Sequence, residues 1–522
     1  RMESRDHVMK RKMNICCRSV TVWGFLVIMK NRRKNMKAKK LIAAGIAASM
    51  SLLTLAGCGT AGNTGNSGGD TAKEDTVKED TAKKDTDEED TGSVYFLNFK
   101  SELSAEWEEV AGSFTKETGI NMKVVTAGSG TYEQTLKSEL SKKEMPTLFN
   151  VNGPIGYQTW KDYCADLKDS QIYEWLTDKD MAITDGDGVY AIPYAVEGYG
   201  IIYNDAIMKK YFALPDKAVD ISDTKEIKNF DTLKTVVEDM TKHKDDLGIQ
   251  GVFGSTSFAP GEDWRWQTHL MNLPIYYEYK DDDVDNLDEI KFTYNKNFKN
   301  IFDLYLNNSC TEPTMVGAKN VEESMAEFAM GDVAMIQNGN WGWAMIYDLD
   351  GNVVKEDDIK FLPIYTGVEG EEKQGLCVGT ENYICVNSKA NEADQKASQK
   401  FLEWLFNSDS GKAYCNGILG MIPPFTTFGE DERPDNPLVQ DMLTYMNDDS
   451  LYTVNWDFAT FPSQEFKNQL GSYLLEYAQG TGDWDAVKTA FVDGWATEYA
   501  EMNSEEAEDA TEADTEAANE AK

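Results

Sequence analysis

Between residues 93 and 152 extended and helical patterns alternate, and that alternation limits the fold more than any other feature of the chain. "SVYFLNF" (93–99) is a β-branched and aromatic run of the buried-strand type. "SAEWEEVAGSFTKETG" (104–119) follows, with Trp107, Val110, Ala111 and Phe114 at helical spacing and Gly119 as a stop. "INMKVVTA" (120–127) reads as strand, "YEQTLKSELSKK" (132–143) as helix and "TLFNV" (147–151) as strand. This order predicts an α/β unit with a mainly parallel sheet. Ligands of such sheets bind beyond the strand C-termini, here the loops "NFKSE" (98–102), "AGSGT" (127–131) and "NVNGPIGY" (150–157).

Further on, "VYAIPYAVEGYGIIYN" (189–204) gives two extended apolar runs around a polar middle. Pro193 blocks regular ladder pairing there, and Glu197 sits among apolar neighbours just before Gly198. Helical patterns dominate from about residue 206, as in "FDTLKTVVEDMTKH" and "NFKNIFDLYLNN". Sheet patterns return at "DVAMIQN", "IKFLPIY" and "NYICV", and the last segments are helical. In "VAMIQNGNWGWAMI" (333–346) an apolar run meets a polar turn, and Trp341 and Trp343 follow it. An indole presented just after a turn suits the apolar C–H face of a sugar ring, while carboxylates and amides suit its hydroxyls. Two positions apart at a helix start, the two rings point to roughly opposite sides, so Trp341 is expected in a cleft and Trp343 in the core.

The globular part is expected over 93–500. Before it, "MKAKK" (36–40), the apolar "LIAAGIAASMSLLTL" (41–55) and Leu55-Ala56-Gly57-Cys58 resemble a bacterial lipoprotein signal. Residues 36–57 are therefore expected to be a signal peptide and Cys58 the lipidated mature N-terminus. Residues 1–35 do not fit a leader and are expected to be an overextended start, with Met36 the true one. Residues 58–92 carry "DTAKE DTVKE DTAKK DTDEE DT" and no core-forming pattern. As a flexible tether of about 34 residues they span roughly 30–35 Å. Residues 501–522 hold nine Asp and Glu against one Lys and are expected to be an acidic, disordered tail. A formal net charge of −39 argues against nucleic acid as a partner. Cys164, Cys310, Cys377, Cys385 and Cys415 include no CxxC pair, against a disulfide framework or zinc site; one bridged pair remains open.

The order of these segments resembles the extracellular solute-binding proteins of ABC importers, specifically the carbohydrate family typified by maltose-binding protein. The resemblance covers nearly all of 93–500 and rests on "EEVAGSFTKETGINMKVV", "IPYAVEGYGIIYN", "FAMGDVAMIQNGNWGWAMI", "ADQKASQKFLEWLFNSDSGKAY" and "EYAQGTGDWDAVKTAF". It implies an α/β type II periplasmic-binding-protein fold, with two lobes, hinge crossovers and a ligand cleft between them. It further implies a lipid-anchored monomer on the outer face of the cell membrane, without cofactor, metal or enzymatic activity. Such a protein passes a carbohydrate, here an oligosaccharide, to the transmembrane subunits of an ABC permease.

By the same resemblance Trp341, with Asn340 before it, lies where the family's "NGxW" tryptophan stacks on sugar. Glu197 in "PYAVE" matches a carboxylate that accepts sugar hydroxyls, with a structural salt bridge as the other reading. Asn152 and Gly153 fall where the family often has charged ligand residues. Ser101 and Glu102 align with a contact loop, and Trp264 in "EDWRWQ" with a second aromatic wall. Thr380 and Glu381 are expected at the cleft rim. The family's late-helix tryptophan is not visible near Phe466.

Other chemistry finds weaker support. "DDDVDNLDE" departs from a calcium loop at its sixth position, Asn286, and twelfth, Phe292. There is no HExxH or P-loop. A surface glycoside hydrolase, which needs only two suitably placed carboxylates, and a glycan adhesin remain as alternatives.

Overall fold

The computed structural model describes residues 91–128 and 131–520, with side chains through residue 502. The signal, Cys58 and nearly all of the tether lie outside the described residues. Twelve strands are present among the described residues: β1 (Ser93–Asn98), β2 (Asn121–Thr126), β3 (Leu148–Asn152), β4 (Ile183–Asp185), β5 (Gly188–Pro193), β6 (Glu197–Asn204), β7 (Gly251–Phe253), β8 (Val333–Gly339), β9 (Ile359–Leu362), β10 (Gln374–Gly379), β11 (Asn382–Val386) and β12 (Tyr452–Val454).

They form two sheets, each the centre of one lobe. The first runs β2-β1-β3-β11-β5-β4, and the second runs β12-β10-β6-β8-β7 with β9 also on β6. β1 pairs parallel with both β2 and β3, as the alternating sequence predicts. The period-2 pleat divides each strand between two cores. Val94 and Phe96 pack with Trp107, Val110 and Phe114 on one face, while Leu97 packs with Tyr132 and Leu136 on the other. The helix Ser104–Thr118 buries that Trp-Val-Ala-Phe stripe. It stops at Gly119, whose φ of +77° lets its N–H reach the Thr115 carbonyl at 2.9 Å.

Two short segments carry the chain between sheets. Residues 194–196 lead from β5 to β6, and Thr380-Glu381 lead from β10 back to β11. They lie side by side: the Tyr194 N–H donates to the Asn382 carbonyl at 3.0 Å, and Thr380 Oγ1 to the Ala195 carbonyl at 2.8 Å. Pro193 ends β5 where the ladder ends, consistent with its missing donor.

The C-terminal helix spans Trp484–Glu520. Val487, Phe491, Trp495 and Tyr499 fix its first half in the second lobe's core at four-residue spacing. The helix runs on through the acidic residues after 500 as far as Glu520. Ala and Glu are among the strongest helix formers, so a composition that cannot build a core still favours helix. All five cysteines of the described residues are free; four are buried and Cys310 is partly so.

Candidate functional site

A cavity of about 740 Å³ lies at the crossovers and is walled by both lobes, within the range usual for small-molecule sites. The first lobe contributes residues at the C-terminal ends of β1, β2 and β3: 99–102 and Gly128 just after β1 and β2, and Asn152, the last residue of β3. Glu381 of one crossover and the strand starts beside the crossovers, Glu197 of β6 and Asn382 of β11, also line the cavity. The second lobe supplies Trp264, Arg265, Trp341, Trp456 and one face of the helix Gln464–Gln479.

Aromatic rings form the second-lobe wall. β8 ends at Gly339, and a single tight turn, Asn340–Gly342, carries Trp341. The indole folds back over Gly339 so closely that a Cβ there would lie 2.1 Å from the ring. Only glycine fits beneath the ring. Trp341 meets Trp264 at 6.2 Å between centroids, His269 at 5.5 Å and Trp456 at 6.3 Å. The buried indole nitrogens of Trp341 and Trp456 have no hydrogen-bond partner among the described residues. Trp343 turns the other way, stacks on Tyr347 at 5.0 Å and packs against the core on the opposite face of the second sheet.

Trp264 and Arg265 reach the cavity through an unusual backbone. Thr256 and Ser257 take positive φ angles of 48° and 35°, uncommon for residues other than glycine and rare for the β-branched Thr256. The Trp266 Nε1–H holds both carbonyls, at 2.7 and 3.0 Å. Arg265–Leu270 then forms a π-helical turn, a feature often found at functional sites. The Arg265 guanidinium lies 3.7 Å from the Trp264 ring centre. His269 stacks on Tyr199 at 4.4 Å, and burial, followed by the nearby Arg265 charge, holds its pKa well below the usual histidine range. The ring is therefore neutral.

Charges are crowded and mostly paired. Lys100 Nζ meets Glu197 Oε1 at 2.6 Å and Glu102 at 3.9 Å. Asn382 Nδ2 donates to the other Glu197 oxygen. Burial pulls the Lys100 ammonium down, but Glu197 and Glu102 more than offset this and leave its pKa above the ordinary value. Lys467 faces Glu381 at 3.9 Å, and burial lowers its pKa against the pull of Glu381 and Glu133. Burial also raises the Glu102, Glu133 and Glu381 carboxyls, and it pushes Asp263 up to about 6.

Of the residues singled out from sequence, Trp341, Glu197, Trp264, Asn152, Ser101, Glu102 and Glu381 line the cavity. Three do not, and each has a structural task instead. Asn340 is buried and its Oδ1 accepts the Gly198 N–H at 2.9 Å, which fixes the turn to β6. Thr380 ties the two crossovers together. Gly153 starts the helix Gly153–Trp160 with a φ of +65°, a left-handed position that favours glycine. Glu197 forms a buried salt bridge with Lys100 and also lines the cavity.

Sequence reasoning missed Lys100, Arg265, Trp456 and Lys467. Lys100 lies inside the loop "NFKSE" (98–102). "VNWDF" repeats the pattern of a polar residue before Trp seen at "GNW". Lys467 shares the buried helix face of Gly471 and Leu474, an unusual place for a lysine.

The description "bacterial extracellular solute-binding protein" matches residues 109–441, and the chain belongs to that family. No curated protein matches its sequence. Among solved structures it is similar to a chitin oligosaccharide binding protein, at 18% identity and TM-score 0.60, over 79% of this chain and 100% of that one. It is also similar to the solute-binding protein RafE in complex with raffinose, at 17% identity and TM-score 0.59, over 78% and 99%. A sugar transporter from Bacillus licheniformis in complex with stachyose matches at 17% and 0.56, over 78% and 100%. At these identities the likeness is one of fold: two lobes of the type II periplasmic binding proteins.

Proposed function

We propose that this protein captures a carbohydrate, most suitably an oligosaccharide, in the cavity between its lobes and delivers it to an ABC importer permease. The observation that carries this is the pairing of Trp341, Trp264 and Trp456 on one wall with carboxylates and amides on the facing one. Flat rings cover apolar sugar faces; Glu102, Glu197, Glu381 and Asn152 accept or donate hydrogen bonds at the hydroxyls. A cavity of this volume holds more than one sugar ring. The structural relatives described with raffinose, stachyose and chitin oligosaccharides support the ligand class. Anchoring through a diacylglycerol on Cys58, with the 58–92 tether holding the lobes off the membrane, rests on the leader sequence.

The glycoside hydrolase alternative fares less well because Glu197 is locked to Lys100 and Glu381 faces Lys467. Calorimetry against raffinose, stachyose, maltose, chitin oligosaccharides and xylo-oligosaccharides, with a parallel assay for newly released reducing ends, separates binding from hydrolysis. Saturable binding with the glycan recovered intact is the expected result. Release of shorter sugars, or no binding to any glycan, overturns the proposal.

A further inference from the structure

Arg265 stands apart from the other cavity charges. Its side chain is only 1% exposed, yet Nε, Nη1 and Nη2 have no hydrogen-bond partner among the described residues. Glu262 and Glu102 act on it only through space, and burial pulls its pKa down to about 9. A buried guanidinium with five unanswered donors carries a large desolvation cost. The geometry is not loose: the guanidinium lies against the Trp264 ring at 3.7 Å, which fixes the plane of the fork. That contact also covers one face of Trp264. Trp264 thus serves as a positioning residue for Arg265 rather than as a free stacking wall on that face.

The surrounding charge says what kind of acceptor the fork meets. Five carboxylates line the cavity against three cations. Lys100 already holds Glu197, and Lys467 already faces Glu381. Burial has raised Glu102, Glu133, Glu381 and Asp263, so further negative charge in this space is opposed. A uronate or sulfated sugar would add charge to that excess and would find only Arg265 unpaired. A hydroxyl, by contrast, accepts from the guanidinium and donates to a carboxylate with the same oxygen.

We propose that Arg265 is the second lobe's polar anchor for the ligand, donating its fork to neighbouring oxygens of a neutral sugar whose hydroxyl protons go to the cavity carboxylates. This rests on the carbohydrate reading above and narrows it to uncharged glycans.

The test is calorimetry on the parent, Arg265→Lys and Arg265→Gln, with the five neutral glycan types named above and with oligogalacturonate and aldouronic acids as acidic probes. Thermal unfolding without glycan runs in parallel. The parent is expected to bind at least one neutral glycan and no acidic probe as tightly. Arg265→Lys keeps the charge and loses the fork, and is expected to weaken the neutral glycan by about thirtyfold, in line with loss of a central anchor. Arg265→Gln removes the unanswered charge and is expected to melt no lower than the parent, while binding as poorly as Arg265→Lys. Parent-like affinity in Arg265→Lys overturns the anchor. Tighter binding of an acidic probe overturns the neutral ligand. A lower melting temperature for Arg265→Gln, or failure of both variants to fold, makes the arginine structural and overturns the proposal. If the parent binds none of the glycans, the carbohydrate reading itself falls and takes this inference with it.

Discussion

Replacing Trp341 by Ala removes the ring that the turn after β8 exists to present. The indole is held by Gly339 beneath it and by Trp264, His269 and Trp456 around it, so its orientation is set before any ligand arrives. A sugar ring laid on one indole face takes on the order of 80–100 Å² of apolar surface out of water, worth about 2–2.5 kcal/mol. That corresponds to a loss of roughly thirty- to seventyfold in affinity. Truncation also strips contacts from the neighbouring rings, so the folded state loses about 1–2 kcal/mol beyond the binding effect. Trp343→Ala is the control: that ring is partly buried against Tyr347 and the core, and its loss is expected to cost about 1–3 kcal/mol of stability with affinity unchanged. Calorimetry on the folded variants, with denaturant unfolding alongside, reads the two effects separately. If Trp341→Ala binds the glycan as tightly as the parent, the stacking argument is refuted. Equal affinity losses in both variants would refute the division of roles between the rings.

Three further predictions concern other parts of the account. Glu197→Gln leaves Lys100 with Glu102 alone, at 3.9 Å, and is expected to destabilise by about 2–4 kcal/mol in denaturant unfolding, most of the cost of breaking a buried pair. Asp457 gives a pH signature: burial, with Asp285 adding, pushes its carboxyl up to about 7. A raised carboxyl contributes stability that is full below the ordinary aspartate range and lost as pH rises through about 7. Asp457→Asn is therefore expected to stabilise by roughly 1–2 kcal/mol at pH 8.5, after allowance for its partial exposure, and to change nothing at pH 4; melting curves at the two pH values check it. Cys58→Ser is expected to abolish membrane retention, measured by fractionation and by mass spectrometry of the mature N-terminus.

Periodicity and turn chemistry made the first lobe legible. The stripe of Trp107, Val110 and Phe114, the stop at Gly119 and the interruption at Pro193 each act locally, so a single stretch of sequence reveals them. The loops beyond β1 and β3 were legible as a cleft wall for the same reason, because strand order fixes which ends face a ligand. What stayed hidden depends on long-range packing. Nothing near Lys100 in sequence announces Glu197, 97 residues away, as its partner. Asn340 and Thr380 looked available for ligand because they sit beside Trp341 and Glu381. Only the fold reveals that the Gly198 N–H and the Ala195 carbonyl already occupy them. Arg265, between two tryptophans, is not legible in sequence because its significance lies in having no hydrogen-bond partner among the described residues.

The two lobes are expected to close together on a sugar, with contacts from both. Small-angle X-ray scattering of the protein with and without a saturating glycan, chosen by the calorimetric panel, tests it most directly. Residues 99–102 wall the cavity on one side, and Arg265 and Trp341 on the other. The radius of gyration is expected to fall on addition of the glycan, and Trp341→Ala is expected to blunt the change at the same glycan concentration. An unchanged scattering profile at full saturation would contradict it.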